Sequence, residues 1–151
     1  MEEIISENEQ QTLQFGNEFA GRLQPGDVVC LIGELGAGKT TFVKGLAKGL
    51  GIEARIISPT YVVVREHERK VKSQNSKFKS IERLYHLDLY RLNSEKDVLG
   101  IDLHDLLKDK QAVTVIEWPE VAQSIIPNQA WTITFGNISE NSRTIKIDRK
   151  S

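Results

Sequence analysis

Val28-Val29-Cys30-Leu31-Ile32-Gly33-Glu34-Leu35-Gly36-Ala37-Gly38-Lys39-Thr40 is the stretch that decides the fold. Its first five residues form a continuous apolar run, the pattern of a strand buried on both faces of a parallel sheet. Gly33 to Thr40 then match G-x-x-x-x-G-K-[ST] at every position. Beyond Lys39, the residues Phe42, Val43, Leu46, Ala47 and Leu50 continue at helical spacing. Strand, glycine-rich loop and helix in that order make a phosphate-binding loop. The glycines allow the positive φ angles that a Cβ resists. The loop N–H groups then converge into an anion nest at the positive end of the following helix. In that frame Lys39 carries a compact charge to the β- and γ-phosphates, and Thr40 offers a hydroxyl to Mg²⁺.

A metal site of this kind also needs a carboxylate. Asp88 ends the apolar run Leu84-Tyr85-His86-Leu87, and Glu117 ends Val113-Thr114-Val115-Ile116. Ligands of open α/β sheets bind at the C-terminal ends of the strands, so both carboxylates are expected beside the phosphates. One would hold Mg²⁺, directly or through water, and the other would orient or deprotonate the attacking water. The plainer alternative for each is a solvated strand end. His86 precedes Asp88 by two and shares its face of the strand, either as a neighbour of the site or as a strand histidine with its own partner.

The remainder of the chain fits this frame. A length of 151 residues predicts one domain, 1–151. Twenty basic against 21 acidic side chains leave a formal net charge of −1, which excludes a globally basic nucleic-acid coat and an acidic tail protein. One cysteine, Cys30, excludes an internal disulfide framework and a Cys-rich zinc site, and the three histidines have no zinc-ligand spacing. The longest apolar run near the front, Val28 to Ile32, is too short to span a membrane. The acidic start Met1 to Glu7 is unlike a secretory signal. The expectation is a cytoplasmic protein with no membrane partner.

Ser6 and Glu9 fit a capping box ahead of a helix carrying Leu13, Phe15, Phe19, Ala20 and Leu23. Gly51 stands where a helix would end. Tyr61 to Val64 reads as a strand, Glu66 to Ser80, with its polar Ser73-Gln74-Asn75-Ser76, as a hairpin end or mobile loop, and Leu84 to Leu89 as the returning strand. Ser94 to Leu107 reads as short helices interrupted at Gly100, and Ala112 to Ile116 as a second buried strand. Glu120 to Ile126 reads as a short helix stopped by Pro127. Trp131 to Phe135 and Thr144 to Ile147 read as late strands. The sum is an α/β fold with a mixed, mostly parallel central sheet flanked by helices.

Three functions remain compatible with these residues alone: an ATPase, a small-molecule kinase using the same P-loop, and a nucleotide-gated binding module. No Asn-Lys-x-Asp supports guanine recognition. Asp97 to Gly100 fits D-x-x-G but follows charged residues rather than a buried strand. For a kinase, Arg91 and Arg143 are the available arginines, and neither sits in a lid-like insertion. Arg65 to Arg83 holds seven basic and three acidic side chains. That is either a contact for phosphates or an acidic partner, or a solvated hairpin tip.

Four blocks occur in order. They are Gly33 to Thr41, Ser58-Pro59-Thr60-Tyr61, His86-Leu87-Asp88-Leu89-Tyr90-Arg91-Leu92 and Glu117-Trp118-Pro119-Glu120. Together they closely resemble the TsaE family, the bacterial P-loop ATPases needed for threonylcarbamoyladenosine at position 37 of tRNA, and the resemblance covers roughly the whole chain. It implies a P-loop NTPase-like three-layer fold, with ATP and Mg²⁺ as cofactors and weak, partner-stimulated hydrolysis. It implies binding to the TsaB–TsaD complex, whose turnover the ATP cycle drives, and contact with tRNA only through that complex. It implies nucleotide binding by Glu34, Leu35, Gly36, Ala37, Gly38, Lys39, Thr40 and Thr41, with Thr41 on the α-phosphate side. Thr40 and Glu117 would hold the metal, and Asp88 would position or activate water, so that Lys39, Asp88 and Glu117 are the catalytic set. Thr60 would lie near the γ-phosphate, and Trp118 would border the nucleotide or the partner face. Thr60 could equally open a strand, Trp118 could be core, and Tyr90 and Arg91 could be a packing pair. Glu34 stands where the family often has Asp, and the segment between Val64 and Leu84 is longer than usual. The walls expected for the adenine pocket are the segment from Ser6 to Thr12 and the C-terminal strands.

Overall fold

The structure is a computed structural model and describes residues 1–34, 36–53, 64–69 and 81–150. The apolar runs become strands, and the described strands join into one sheet. They are β1 (Glu2–Ser6), β2 (Val28–Ile32), β3 (Val64–Glu68), β4 (Arg83–Asp88), β5 (Ala112–Glu117), β6 (Trp131–Asn137) and β7 (Arg143–Arg149). Their spatial order is β1-β7-β6-β2-β5-β4-β3. The middle four, β6, β2, β5 and β4, run parallel. β7 and β1 on one side, and β3 on the other, pair antiparallel. β5 is buried at all six positions, which is why its sequence reads as an unbroken apolar run rather than an alternation.

Helices cover both faces and complete three layers. α1 (Glu9–Phe19) and α2 (Lys39–Gly49) pack on one face. There Phe19, Phe42, Val43 and Leu46 meet Leu31, Val115 and Ile133. α3 (Glu95–Leu99) and α4 (Leu103–Leu107) lie on the other, where Val98 and Leu103 join a core with Val28, Leu87 and Ile116. α1 and α2 touch backbone to backbone. A Cβ at Gly45 would stand 1.9 Å from the Leu13 carbonyl oxygen, so only glycine permits that approach. The first turns of the two helices also meet, with Thr41 Oγ1 donating to Glu9 Oε1 at 3.4 Å.

Several expectations hold. Gly51 has φ 74° and its N–H donates to the Lys48 carbonyl, ending α2. The Ser94 to Leu107 stretch is two short helices separated at Gly100.

Others are corrected. Ser6 does not cap α1. Asn8 does, its side chain accepting from the Gln11 N–H at 2.8 Å. Ser6 ends β1, a strand that the sequence reading missed, and its buried hydroxyl donates to the Asn8 carbonyl at 2.8 Å and lies 2.7 Å from Thr12 Oγ1. Glu66 to Glu68 belong to β3 rather than to a loop. The helix expected over Glu120 to Ile126 is a single 3-10 turn at Pro119–Ala122, entered from Trp118 in the left-handed region at φ 55°. The expected strand residues Tyr61 to Val63, and residues 70–80 of the Glu66 to Ser80 stretch, lie outside the described residues. Among the described residues, no helix is long and apolar enough to cross a membrane.

Candidate functional site

The loop between β2 and α2 supplies the geometry its glycines promise. Gly36 and Gly38 adopt φ 79° and 98°, and Lys39 opens α2 directly behind them. Positive φ at both positions lets the backbone curl so that the start of α2 faces a cavity of about 390 Å³. Gly36, Gly38, Lys39, Thr40 and Thr41 line it from the loop side, and Asp88 and Glu117 line it from the strand ends. The parallel register of β4 and β5 sets Asp88 directly opposite Glu117. Two adjacent strands thus deliver two carboxylates to one place, at the C-terminal edge of the sheet.

Lys39 is buried, although it is a lysine on the first turn of a helix. Its Nζ donates to the Gly33 carbonyl at 2.7 Å and lies 3.8 Å from Glu117 Oε1. The Trp118 ring stands over the ammonium at 4.3 Å from its centroid, a cation–π contact. Burial pushes the Lys39 ammonium below its usual pKa, while the charges of Glu117 and Asp88 hold it up. Glu117 Oε2 accepts from His86 Nε2 at 2.6 Å, and His86 is fully buried. Asp88 Oδ1 accepts from the Tyr90 N–H at 2.9 Å, a turn that fixes the chain where it leaves β4.

The other side of the cavity comes from Glu9 and Thr12 of α1 and from Asn141 and Arg143 of the β6–β7 hairpin. These are the two segments expected to wall an adenine pocket. Arg143 spans the gap, its Nη2 donating to the Gly36 carbonyl at 3.1 Å and its Nη1 to the Ser139 and Glu140 carbonyls, each at 3.0 Å. Sequence reasoning had offered Arg143 only as a kinase arginine. Its bond to the loop depends on β7 returning beside β6, which no local motif announces.

Of the residues expected to bind nucleotide, Gly36, Gly38, Lys39, Thr40 and Thr41 are brought together with the two carboxylates expected for metal and water, Glu117 and Asp88. Ala37 instead turns its methyl into the α1–α2 core. Glu34 is exposed and does not line the cavity. Trp118 lies over Lys39 and against the exposed Tyr90, with ring centroids 5.0 Å apart, and also stays off the lining. Leu35, Thr60 with the rest of Ser58 to Tyr61, and residues 70–80 of the basic run lie outside the described residues. The D-x-x-G match at Asp97 falls on α3, away from any strand end.

The family model for threonylcarbamoyl adenosine biosynthesis protein TsaE matches residues 6–145. A protein of Treponema pallidum named tRNA threonylcarbamoyladenosine biosynthesis protein TsaE is 36% identical over 143 residues, spanning 95% of this chain and 97% of its own length. The protein of that name from Bacillus subtilis is 34% identical over 138 residues, spanning 91% of this chain and 79% of its own. The crystal structure of Bacillus subtilis YdiB superposes with a TM-score of 0.74 at 27% identity, covering 99% of this chain and 86% of that one.

Proposed function

The chain belongs to the TsaE family, and from that premise we propose that it is a Mg²⁺-dependent ATPase serving threonylcarbamoyladenosine modification of tRNA. It acts by binding the TsaB–TsaD complex and driving its turnover, and it meets tRNA through that complex. The observation that carries this reading is the buried Lys39 ammonium, set at the start of α2 within one cavity with Thr40, Asp88 and Glu117. A buried lysine charge is costly unless it is paired and hydrogen-bonded, and here Glu117 and the Gly33 carbonyl hold it facing the cavity.

The donor set suits the cofactors. Thr40, Asp88 and Glu117 offer a hydroxyl and two carboxylates, hard oxygen ligands of the kind that Mg²⁺ takes alongside phosphate oxygens. Thr40 and Glu117 would hold the metal, which neutralises the charge developing on the transferred phosphoryl group. Gly36 and Gly38 present backbone N–H groups to the phosphates, and Lys39 adds its charge there. Asp88 orients the attacking water or accepts its proton. In a loose transition state little basicity is demanded of it, so placement is its main contribution. Glu9, Thr12, Asn141 and Arg143 enclose the nucleoside end. Trp118 and the exposed Tyr90 join this site to the outer surface on the side where a partner would dock.

The test is ATP hydrolysis by the purified chain, alone and with the TsaB–TsaD pair. A low rate that rises strongly with the pair and vanishes in Lys39→Ala is expected. A rate indifferent to the pair, with ADP release stimulated by a metabolite instead, would replace this reading with the kinase.

A further inference from the structure

We propose that His86 is a positioning residue for the Glu117 carboxylate, a role that rests on the reading of this cavity as a magnesium-nucleotide site. Glu117 ends β5, and its backbone carbonyl is fixed by the Leu89 N–H at 3.0 Å. Its side chain is held differently. Among the described residues, its hydrogen bond comes from His86 alone, with Nε2 donating to Oε2 at 2.6 Å. Lys39 does not serve, because at 3.8 Å from Oε1 it is an ion-pair neighbour beyond hydrogen-bond reach. Its Nζ donates to the Gly33 carbonyl instead. One bond, from a ring with no exposed surface, therefore decides which carboxylate oxygen turns inward and which faces Lys39 and the cavity.

The sheet explains why a histidine does this. His86 pairs with Val115, and Asp88 with Glu117, so all three polar side chains share one face of β4 and β5. The reach from position 86 to position 117 is the diagonal between neighbouring strands, a distance that long or aromatic side chains bridge. Glu117 as a carboxylate only accepts, which assigns the proton to Nε2. Among the described residues Nδ1 has no partner, so none of them gives the ring a second anchor. Partners that hold metal-facing ligands in place are worth about 10–100-fold in metal affinity.

Nucleotide affinity is measured by fluorescent ADP and ATP analogues, with and without Mg²⁺, in the wild-type chain and in His86→Leu, His86→Asn and His86→Gln. His86→Leu is expected to keep its Mg²⁺-free affinity and to need about 10–100-fold more Mg²⁺ for the same gain. His86→Asn, whose amide is too short to reach Oε2, should match it and serves if the leucine variant does not fold. His86→Gln, whose amide reaches, should recover most of the gain. Wild-type Mg²⁺ dependence in the leucine or asparagine variant overturns the inference. So does an equal loss with and without Mg²⁺ in all three variants, the mark of a merely structural histidine. A wild-type chain whose affinity ignores Mg²⁺ overturns the parent reading and this inference together, a result distinct from the other two.

Discussion

The β4–β5 pair carries a polar cluster at each end, and the two are built oppositely. At the N-terminal end Arg83 grips Asp109 with two bonds, Nε to Oδ2 at 2.8 Å and Nη2 to Oδ1 at 3.1 Å. Tyr85 adds its hydroxyl to Oδ2 at 2.9 Å, and the Gln111 N–H reaches Oδ1 at 3.0 Å. Both Asp109 oxygens are engaged twice, although the Arg83 and Asp109 side chains keep 23% and 18% of their surface. The Arg83 bonds hold the Asp109 carboxyl well below the usual carboxylate range. Burial, then the bond to Asp109, pushes Tyr85 up to about 12. At the C-terminal end Lys39 and Glu117 keep only 4% each, yet stand 3.8 Å apart. Nearby, His86 Nδ1 and Trp118 Nε1 are buried without a partner among the described residues. A cluster that is satisfied while about a fifth exposed is a staple. A cluster that is buried and under-bonded departs from the rule that buried polar groups are paired, and that departure is the physical ground for reading it as the candidate site.

The contrast predicts opposite mutational signatures. Lys39→Ala should reduce ATP hydrolysis by about 10²–10³-fold or more. Its thermal midpoint should stay within a few degrees of wild type, and a collapse in calorimetry would erase the contrast. Asp109→Ala should do the reverse. It leaves the Arg83 guanidinium and the Tyr85 hydroxyl without their acceptor, which costs about 1–3 kcal/mol in urea denaturation while hydrolysis is retained. Tyr85→Phe removes one of the four bonds to Asp109 and should cost about 0.5–1.5 kcal/mol by the same measurement.

The smallest effect is the acid limb. Because the folded Asp109 pKa is depressed, its contribution is complete above the ordinary aspartate value of 3.8 and is lost as the pH falls below it. Urea midpoints followed downward through that value should therefore fall, and Asp109→Asn should flatten the fall. An unchanged slope in the variant would remove Asp109 from the account.

The interior of this fold was legible because parallel strands buried on both faces write themselves as apolar runs. Val28 to Ile32 and Ala112 to Ile116 needed nothing beyond that. The margins were less so. Glu2 to Ser6 holds only two apolar residues, because an edge strand needs few, and Ser6 looked like a cap when it is a buried strand end next to Thr12. Glu66 to Glu68 are polar for the same reason and read as loop. At the site, Lys39 and Thr40 were legible from spacing, and Asp88 and Glu117 from their places after apolar runs. The His86–Glu117 bond was not, because it depends on the register between strands 31 residues apart in sequence. The Ala37 side chain belongs to the core, which the linear pattern of the loop does not announce.

Cys30 lies in β2, where burial, then the nearby Glu120 charge, pushes its thiol up to about 12. At neutral pH it is a protonated thiol sealed in the core, and thiols react as thiolates. It is also the only cysteine of the chain. The protein therefore comes ready for site-directed labelling. A cysteine introduced at an exposed position such as Ile138, on the hairpin beside Asn141, would be the sole reactive sulfur. A dye attached there would report whether that wall of the cavity moves when nucleotide is added, in a chain otherwise unaltered.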